Sequence, residues 1–350
     1  MKARLQLLVR NLVRAIERGD VADFQRRSGE LLHESRKQDD RFRTAVVEEI
    51  ARLLPGVAGE FSKLAVVAGA CVELGGSPLP LAEVLPVRSA AALEGCVVFA
   101  EEWGRVSGDR GALPDRGDPQ LMRSVLERLL EGDRYTEPEV AEMVVSYLDL
   151  DNWLKASITA MGNKEFRAAM TSRERLRRAA GEFAASWPRA GWLHGLSLVL
   201  DEEPLVVLHP GTGNGYRLTM SGVGDNFQLY TLLADVLIGD PADGLLPGER
   251  PDPAWVDAAL TGPQISEGGP IARRFLLHDA YGGYVEPEGR PANIPVFEGV
   301  RTLVVRPSPE PFGWLAGRTY AHMRATVELD SLLSREETAR LISGVRSPSA

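Results

Sequence analysis

The chain has 350 residues, 44% hydrophobic and 25% charged, enough for about two folded domains with real cores and too apolar for a disordered or fibrous chain. A formal net charge of -9 and a pI near 5.3 argue against a general nucleic-acid binder, whose affinity comes largely from clustered Lys and Arg. Two cysteines, Cys71 and Cys96, are too few for a disulfide framework or a thiolate metal centre; each lies in an apolar run and is expected to pack as a small core residue.

At the N-terminus, Arg4 and Arg10 interrupt the apolar stretch of residues 1–13, which therefore does not have the form of a secretory signal. No segment approaches the roughly 20 apolar residues that cross a bilayer. The expectation is a cytoplasmic protein without membrane contact.

From residue 2 to about 187 the hydrophobic spacing is helical almost throughout. Leu5, Leu8, Leu12 and Ile16 share one face, Gly19-Asp20 interrupts, and Phe24, Leu31 and Leu32 begin the next run. Further helical runs cover 41–54, 59–74, 89–106, 119–130, 138–161 and 164–187, with Pro55-Gly56, Gly75-Gly76 and Gly162-Asn163 as breaks. No period of 30 to 50 residues is visible, so a bundle is favoured over a short helical solenoid. Residues 107–119, dense in Gly, Pro, Asp and Arg, are expected to form an exposed loop.

The pattern changes near Pro188. Runs at 192–200, 205–209 and 215–220 alternate between turn-forming clusters and predict a three-stranded antiparallel meander. An apolar helix follows at 226–238, a short helix at 255–260, strands at 274–280 and 301–305, and a last helix at 335–345. The fold class is α+β: an all-α domain over 1–187, a smaller α/β domain with a mainly antiparallel sheet over 188–345, and a frayed tail at 346–350.

Candidate chemistry concentrates in the second half. The passage Ser221-Gly222-Val223-Gly224-Asp225-Asn226 leads from a strand into a helix, where backbone N–H groups can hold a phosphate or carboxylate. Phe227 replaces the third glycine of a dinucleotide fingerprint, and Asp225 suits an N-cap. Within the helix, Gln228, Thr231 and Asp235 share one face; with Gly222, Gly224, Asp225 and Asn226 they form a ligand-binding candidate. His209 and His278 sit at strand ends beside glycine loops, and with Arg217 and Asp235 they are the candidate catalytic groups. No histidine pair has metal-ligand spacing, and His33-Glu34 lacks the second histidine of a zinc helix because Lys37 stands there, so no metal site is expected. Ser197 lacks the following glycine of a serine elbow, and no motif specifies a cofactor.

A basic stretch at Arg167, Arg173, Arg175, Arg177 and Arg178 interleaves with Glu174 and Glu182, as a solvated helix face does. Trp187, Trp192, Trp255 and Trp314 fall in Pro- or Gly-containing segments and are expected to anchor loops. No catalytic set is complete. The sequence favours a ligand-binding or regulatory protein, with a small polar or anionic ligand in the α/β half and a protein partner on the helical half; the alternative is an enzyme of hydrolysis or group transfer.

Overall fold

The computed structural model describes residues 2–108, 113–131, 134–261, 275–308, 320 and 323–346. Two compact units result, Met1–Ser197 and Leu198–Ala350. The class is α+β, with most helices N-terminal and the sheet C-terminal.

In the first unit the helices are α1 (Lys2–Glu17), α2 (Val21–Lys37), α3 (Asp40–Leu53), α4 (Lys63–Glu73), α5 (Val84–Ser107), α6 (Pro119–Leu130), α7 (Glu137–Met161), α8 (Lys164–Ala169), α9 (Arg173–Phe183) and α10 (Pro188–Ser197). Their starts follow from side-chain caps that satisfy free N–H groups. Asp20, Asp39, Asp118 and Asn163 each accept from the first turn they precede, and Thr136 forms a capping box with Glu139. The 25-residue α7 is the axis: α4, α5, α6 and α10 all pack on it, so the unit is a bundle and not a stack of neighbours. Close approach requires small residues. A methyl placed on Gly69 of α4 would stand 3.2 Å from the Cα of Ala156, and Ser89 and Ser157 meet hydroxyl to hydroxyl at 2.7 Å between α5 and α7.

Three expectations need correction in this unit. The strand expected at 192–200 falls largely in helix α10, packed on α9 and α7; a short helix and a strand have similar apolar runs, and contact decided for helix. The helix expected over 164–187 is two, because Met170 adopts extended dihedrals (φ -67, ψ 119) and ends α8. The loop expected to be exposed is not wholly so, since Arg116 at its end is folded between two aromatic rings. Cys71 and Cys96 are buried and unbridged, and burial raises both thiols above their usual range.

The second unit holds β1 (Glu203–His209), β2 (Asn214–Ser221), α11 (Asn226–Leu237), α12 (Pro253–Leu260), β3 (Phe275–Asp279), β4 (Val296–Phe297), β5 (Val300–Pro307), β6 (Thr326–Leu332) and α13 (Arg335–Gly344). The sheet order is β3-β5-β1-β2-β6, with β4 paired to β5. Among the named strands of the described residues, β1 and β5 run parallel and the other pairings are antiparallel. The expected three-stranded meander is thus a two-stranded hairpin, extended by later strands. Period-two alternation sorts the side chains. Leu205, Val207, Tyr216, Leu218, Leu277, Leu303 and Val305 meet α11 in the main core, while Val206 and Leu208 meet Leu341 of α13 on the other face.

Gly222 closes the path from β2 to α11. Its φ is +67, and a Cβ there would stand 2.1 Å from the Arg324 carbonyl oxygen. Gly222→Ala is expected to destabilise the protein by about 2 kcal/mol or more, from strain plus clash. Urea unfolding checks this, and an unchanged midpoint would contradict the assigned backbone.

Candidate functional site

The groups expected at the start of α11 do come together, but they serve one another. Asp225 caps the helix by accepting from the Gln228 N–H at 2.9 Å. Gln228, buried, accepts from the Gly224 N–H at 2.8 Å and donates to the Ala259 carbonyl at 2.5 Å. Asn226, also buried, donates through Nδ2 to the Glu286 carbonyl at 2.7 Å, and Thr231 donates to the Phe227 carbonyl. The N–H groups of Gly222, Asn226 and Phe227 are taken by the carbonyls of Leu200, Gly289 and Pro287. A phosphate needs such donors, and here five between Gly222 and Gln228 already have partners in the chain.

The four candidate catalytic residues do not converge. His209 ends β1, where burial holds its imidazole below the usual pKa and Nδ1 lies 2.8 Å from the Thr212 hydroxyl; no third group orients the ring among the described residues. Arg217 lies on β2 opposite Val206 and pairs with Glu337 of α13 at 2.9 Å, which fastens that helix to the sheet. His278 lies on β3, three strands away in the order, with Tyr284 edge-on at 5.9 Å; burial first, and then Arg306, lower its pKa. Asp235, on α11, pairs with Arg250 at 2.5 Å in a shallow cleft of about 500 Å³ with Pro251, Pro253, Val256, Asp257 and Leu260. So the face shared by Gln228, Thr231 and Asp235 divides, its first two members inside and Asp235 at a rim. Arg274, at the start of the expected strand, and Trp314 lie outside the described residues.

A more concentrated constellation occurs on the helical unit. Asp151, near the middle of α7, accepts from Arg116 Nη2 at 2.9 Å, from Trp187 Nε1 at 3.1 Å and from Arg189 Nη1 at 3.2 Å to both oxygens. Three segments meet on this one carboxylate: the end of the loop before α6, the turn after α9, and the first turn of α10. The Arg116 guanidinium lies 4.4 Å from the Trp187 ring centre and 5.6 Å from that of Tyr147. Tyr147 in turn stacks on Phe99 at 4.4 Å and donates to the Pro114 carbonyl at 2.6 Å, which pins the loop. Burial pushes the Tyr147 phenol up to about 12, so it stays a donor at any ordinary pH.

Two clefts share Arg116, Ser186 and Trp187. One, of about 490 Å³, continues over Asp151, Pro188, Arg189 and Trp192; the other, of about 450 Å³, continues over Leu113, Asp115 and Tyr147. Trp192 is 61% exposed, an unusual position for an indole. Volumes of this order suit a small molecule.

Two carboxylates two residues apart on α7 are driven in opposite directions. For Asp151 burial alone would raise the pKa, but the hydrogen bonds from Arg116 and Trp187, with the charges of Arg116 and Arg189, outweigh it and hold the carboxyl below its ordinary value. For Asp149 burial wins and the pKa rises to about 6, although the Gly59 N–H donates to it at 2.7 Å and Ser62 also bonds to it. Asp149 therefore secures the entry to α4, and Asp151 organises the cleft.

Sequence reasoning reached Trp187 and Trp192 as loop anchors and missed Arg116, Asp151 and Arg189. The available signal was weak: an aspartate amid an apolar helical run, with no spacing rule linking it to arginines 35 and 38 residues away. Among the described residues no group of three or more His, Cys, Asp or Glu side chains gathers as metal ligands would, and no helix is long and apolar enough to cross a membrane. No protein-family model, curated protein or solved structure matches the chain.

Because its folded-state pKa lies above the ordinary 3.8, Asp149 makes the native state bind an extra proton between pH 3.8 and about 6. Its contribution to stability thus rises as pH falls through that window and is lost above it. Asp149→Asn keeps an acceptor for Gly59 and removes the ionisation. The parent is expected to gain stability relative to this variant between pH 7.5 and pH 4.5 in urea unfolding, and a difference that does not change with pH would refute the buried carboxylate.

Proposed function

We propose that this protein is a non-catalytic ligand-binding protein whose recognition site is the cleft of Trp187, Arg189 and Trp192 beside Asp151 on the helical unit. The carrying observation is the exposed Trp192 indole beside a pre-ordered Arg116–Asp151–Arg189 cluster. Binding sites join an apolar surface to a few convergent polar groups held in place before the ligand arrives, and this cleft has both. Asp151 orders the arginines, Tyr147 orders the loop, and the aromatic packing holds Trp187. In the α/β half, by contrast, Asp225 is engaged as a cap, Gln228 by the Ala259 carbonyl and Arg217 by Glu337.

A binding role is favoured over catalysis because, among the described residues that line the cleft, the one hydroxyl side chain is Ser186 and the one carboxylate, Asp151, is taken by Arg116, Trp187 and Arg189. We infer a cytoplasmic setting, in keeping with two free buried cysteines, and a regulatory role in which occupancy of the cleft is sensed by a protein partner on the helical unit. An α10 whose first turn forms one wall supports that coupling, since a ligand would bear directly on it.

The test is fragment screening of the full chain by NMR, following the indole N–H signals of Trp187 and Trp192, assigned with Trp187→Phe and Trp192→Phe. At least one fragment class is expected to shift them, and Trp192→Ala is expected to weaken its binding by about tenfold, the order of losing one aromatic contact surface. If no fragment moves either signal, the cleft is not a binding site.

A further inference from the structure

What the cleft has left over after its own pairs form defines what it can receive. The Asp151 carboxylate takes four donor contacts, from Arg116, from Trp187 and twice from Arg189, which fills the roughly four acceptor positions of a carboxylate. It retains nothing for an ammonium group or for a sugar hydroxyl that must donate. The donors are not exhausted. Nε and Nη2 of Arg189 have no partner among the described residues, nor does Nε of Arg116, and the Arg189 side chain is 46% exposed.

Charge points the same way. Two guanidinium groups face one carboxylate in the 490 Å³ cleft, so the lining carries one surplus positive charge although the chain as a whole is at -9. A cationic guest would meet Arg116 and Arg189 at short range, whereas an acid group would find the spare fork of Arg189. The remaining wall is flat and aromatic, with the exposed Trp192 indole and the Trp187 ring.

Resting on the proposed binding role, we infer that the ligand is a small planar anion, a one- or two-ring aromatic compound bearing a carboxylate or phosphate. Its ring lies against Trp192 and its acid group is held by Arg189, with Arg116 behind it. The Arg189 fork fits two acid oxygens side by side, a geometry that lysine would not supply. Asp151 is a positioning residue: it touches no ligand and fixes the angle at which Arg189 presents its free edge.

Fluorine NMR on the full chain separates the possibilities. The probes are 4-fluorobenzoate and 4-fluorophenyl phosphate as ring anions, 4-fluorobenzamide as the neutral ring, 4-fluorobenzylammonium as the cationic ring, and fluoroacetate as the anion without a ring. The ring anions are expected to bind about tenfold or more tighter than the amide, from one charge-assisted bond, with benzylammonium and fluoroacetate weakest. Whichever ring anion binds more tightly identifies the acid group. Arg189→Gln, at a half-exposed position that leaves the core intact, is expected to abolish the preference of anion over amide; Trp192→Ala is expected to weaken all ring probes and leave that preference. Equal binding of benzoate and benzamide, or a preference for benzylammonium, overturns the ligand class and leaves the binding role standing. Binding of no probe, together with unmoved Trp187 and Trp192 signals in the fragment screen, removes both.

Discussion

A carboxylate held mostly out of water must be compensated, and Asp151 meets that requirement by drawing in partners from three separate segments. Its position on α7, the helix around which the first unit is built, means that the compensation occurs at a rigid place. Arg116, Trp187 and Arg189 come from a loop, a turn and the first turn of α10, three segments that are separate in the chain. The loop is also bonded to Tyr147, whose hydroxyl donates to the Pro114 carbonyl and whose carbonyl accepts from Arg116, but it is the shared anion that brings all three segments to one point with directional bonds. One ionic centre with directional bonds therefore sets the geometry of the candidate site.

The aromatic side chains extend that control. Phe99, Tyr147, Trp187 and Phe183 form a connected series in which Tyr147 and Trp187 flank the Arg116 guanidinium. Arg116 is thereby a wall of the cleft more than a contact for solvent, and the shared lining of the two clefts follows from it. The α/β unit uses its polar residues differently. At the start of α11 Gly224, Asp225 and Gln228 bond one another, and Gly222, Asn226 and Phe227 bond neighbouring loops, so the strand-to-helix passage is a joint that holds α11 over the sheet. Its features resemble an anion site because caps and anion sites draw on the same unpaired helix donors.

Much of the fold was legible because it depends on local periodicity and capping. The runs at 119–130, 205–209, 215–220 and 226–238 stand close to α6, β1, β2 and α11, and Asp225 is the N-cap its position suggests. Strand β6 was not foreseen: at an edge, with Glu328 and Asp330 outward, it carries too few apolar positions to show alternation. The segment now in α10 misled for the opposite reason, since Trp192, Leu193 and Leu196 are too few to separate the two periods over so short a span. In the candidate site only the tryptophans were visible. Arg116 and Asp151 each look ordinary among the many charged residues of the chain, and their meaning lies in a distance of 2.9 Å that no sequence interval encodes.

By itself, then, the sequence determined the class of the fold, the helical first part, the strands with strong alternation and the caps, because these follow from interactions among residues a few positions apart. Tertiary structure alone decided which polar residues remained free to act. That choice is a competition for partners across the whole chain: Arg217 was claimed by Glu337, Gln228 by Gly224 and Ala259, and Asp235 by Arg250, while Arg189 kept two donors in reserve beside an uncovered indole. Hydrogen-bonding capacity is finite, and only packing reveals where it has been used up.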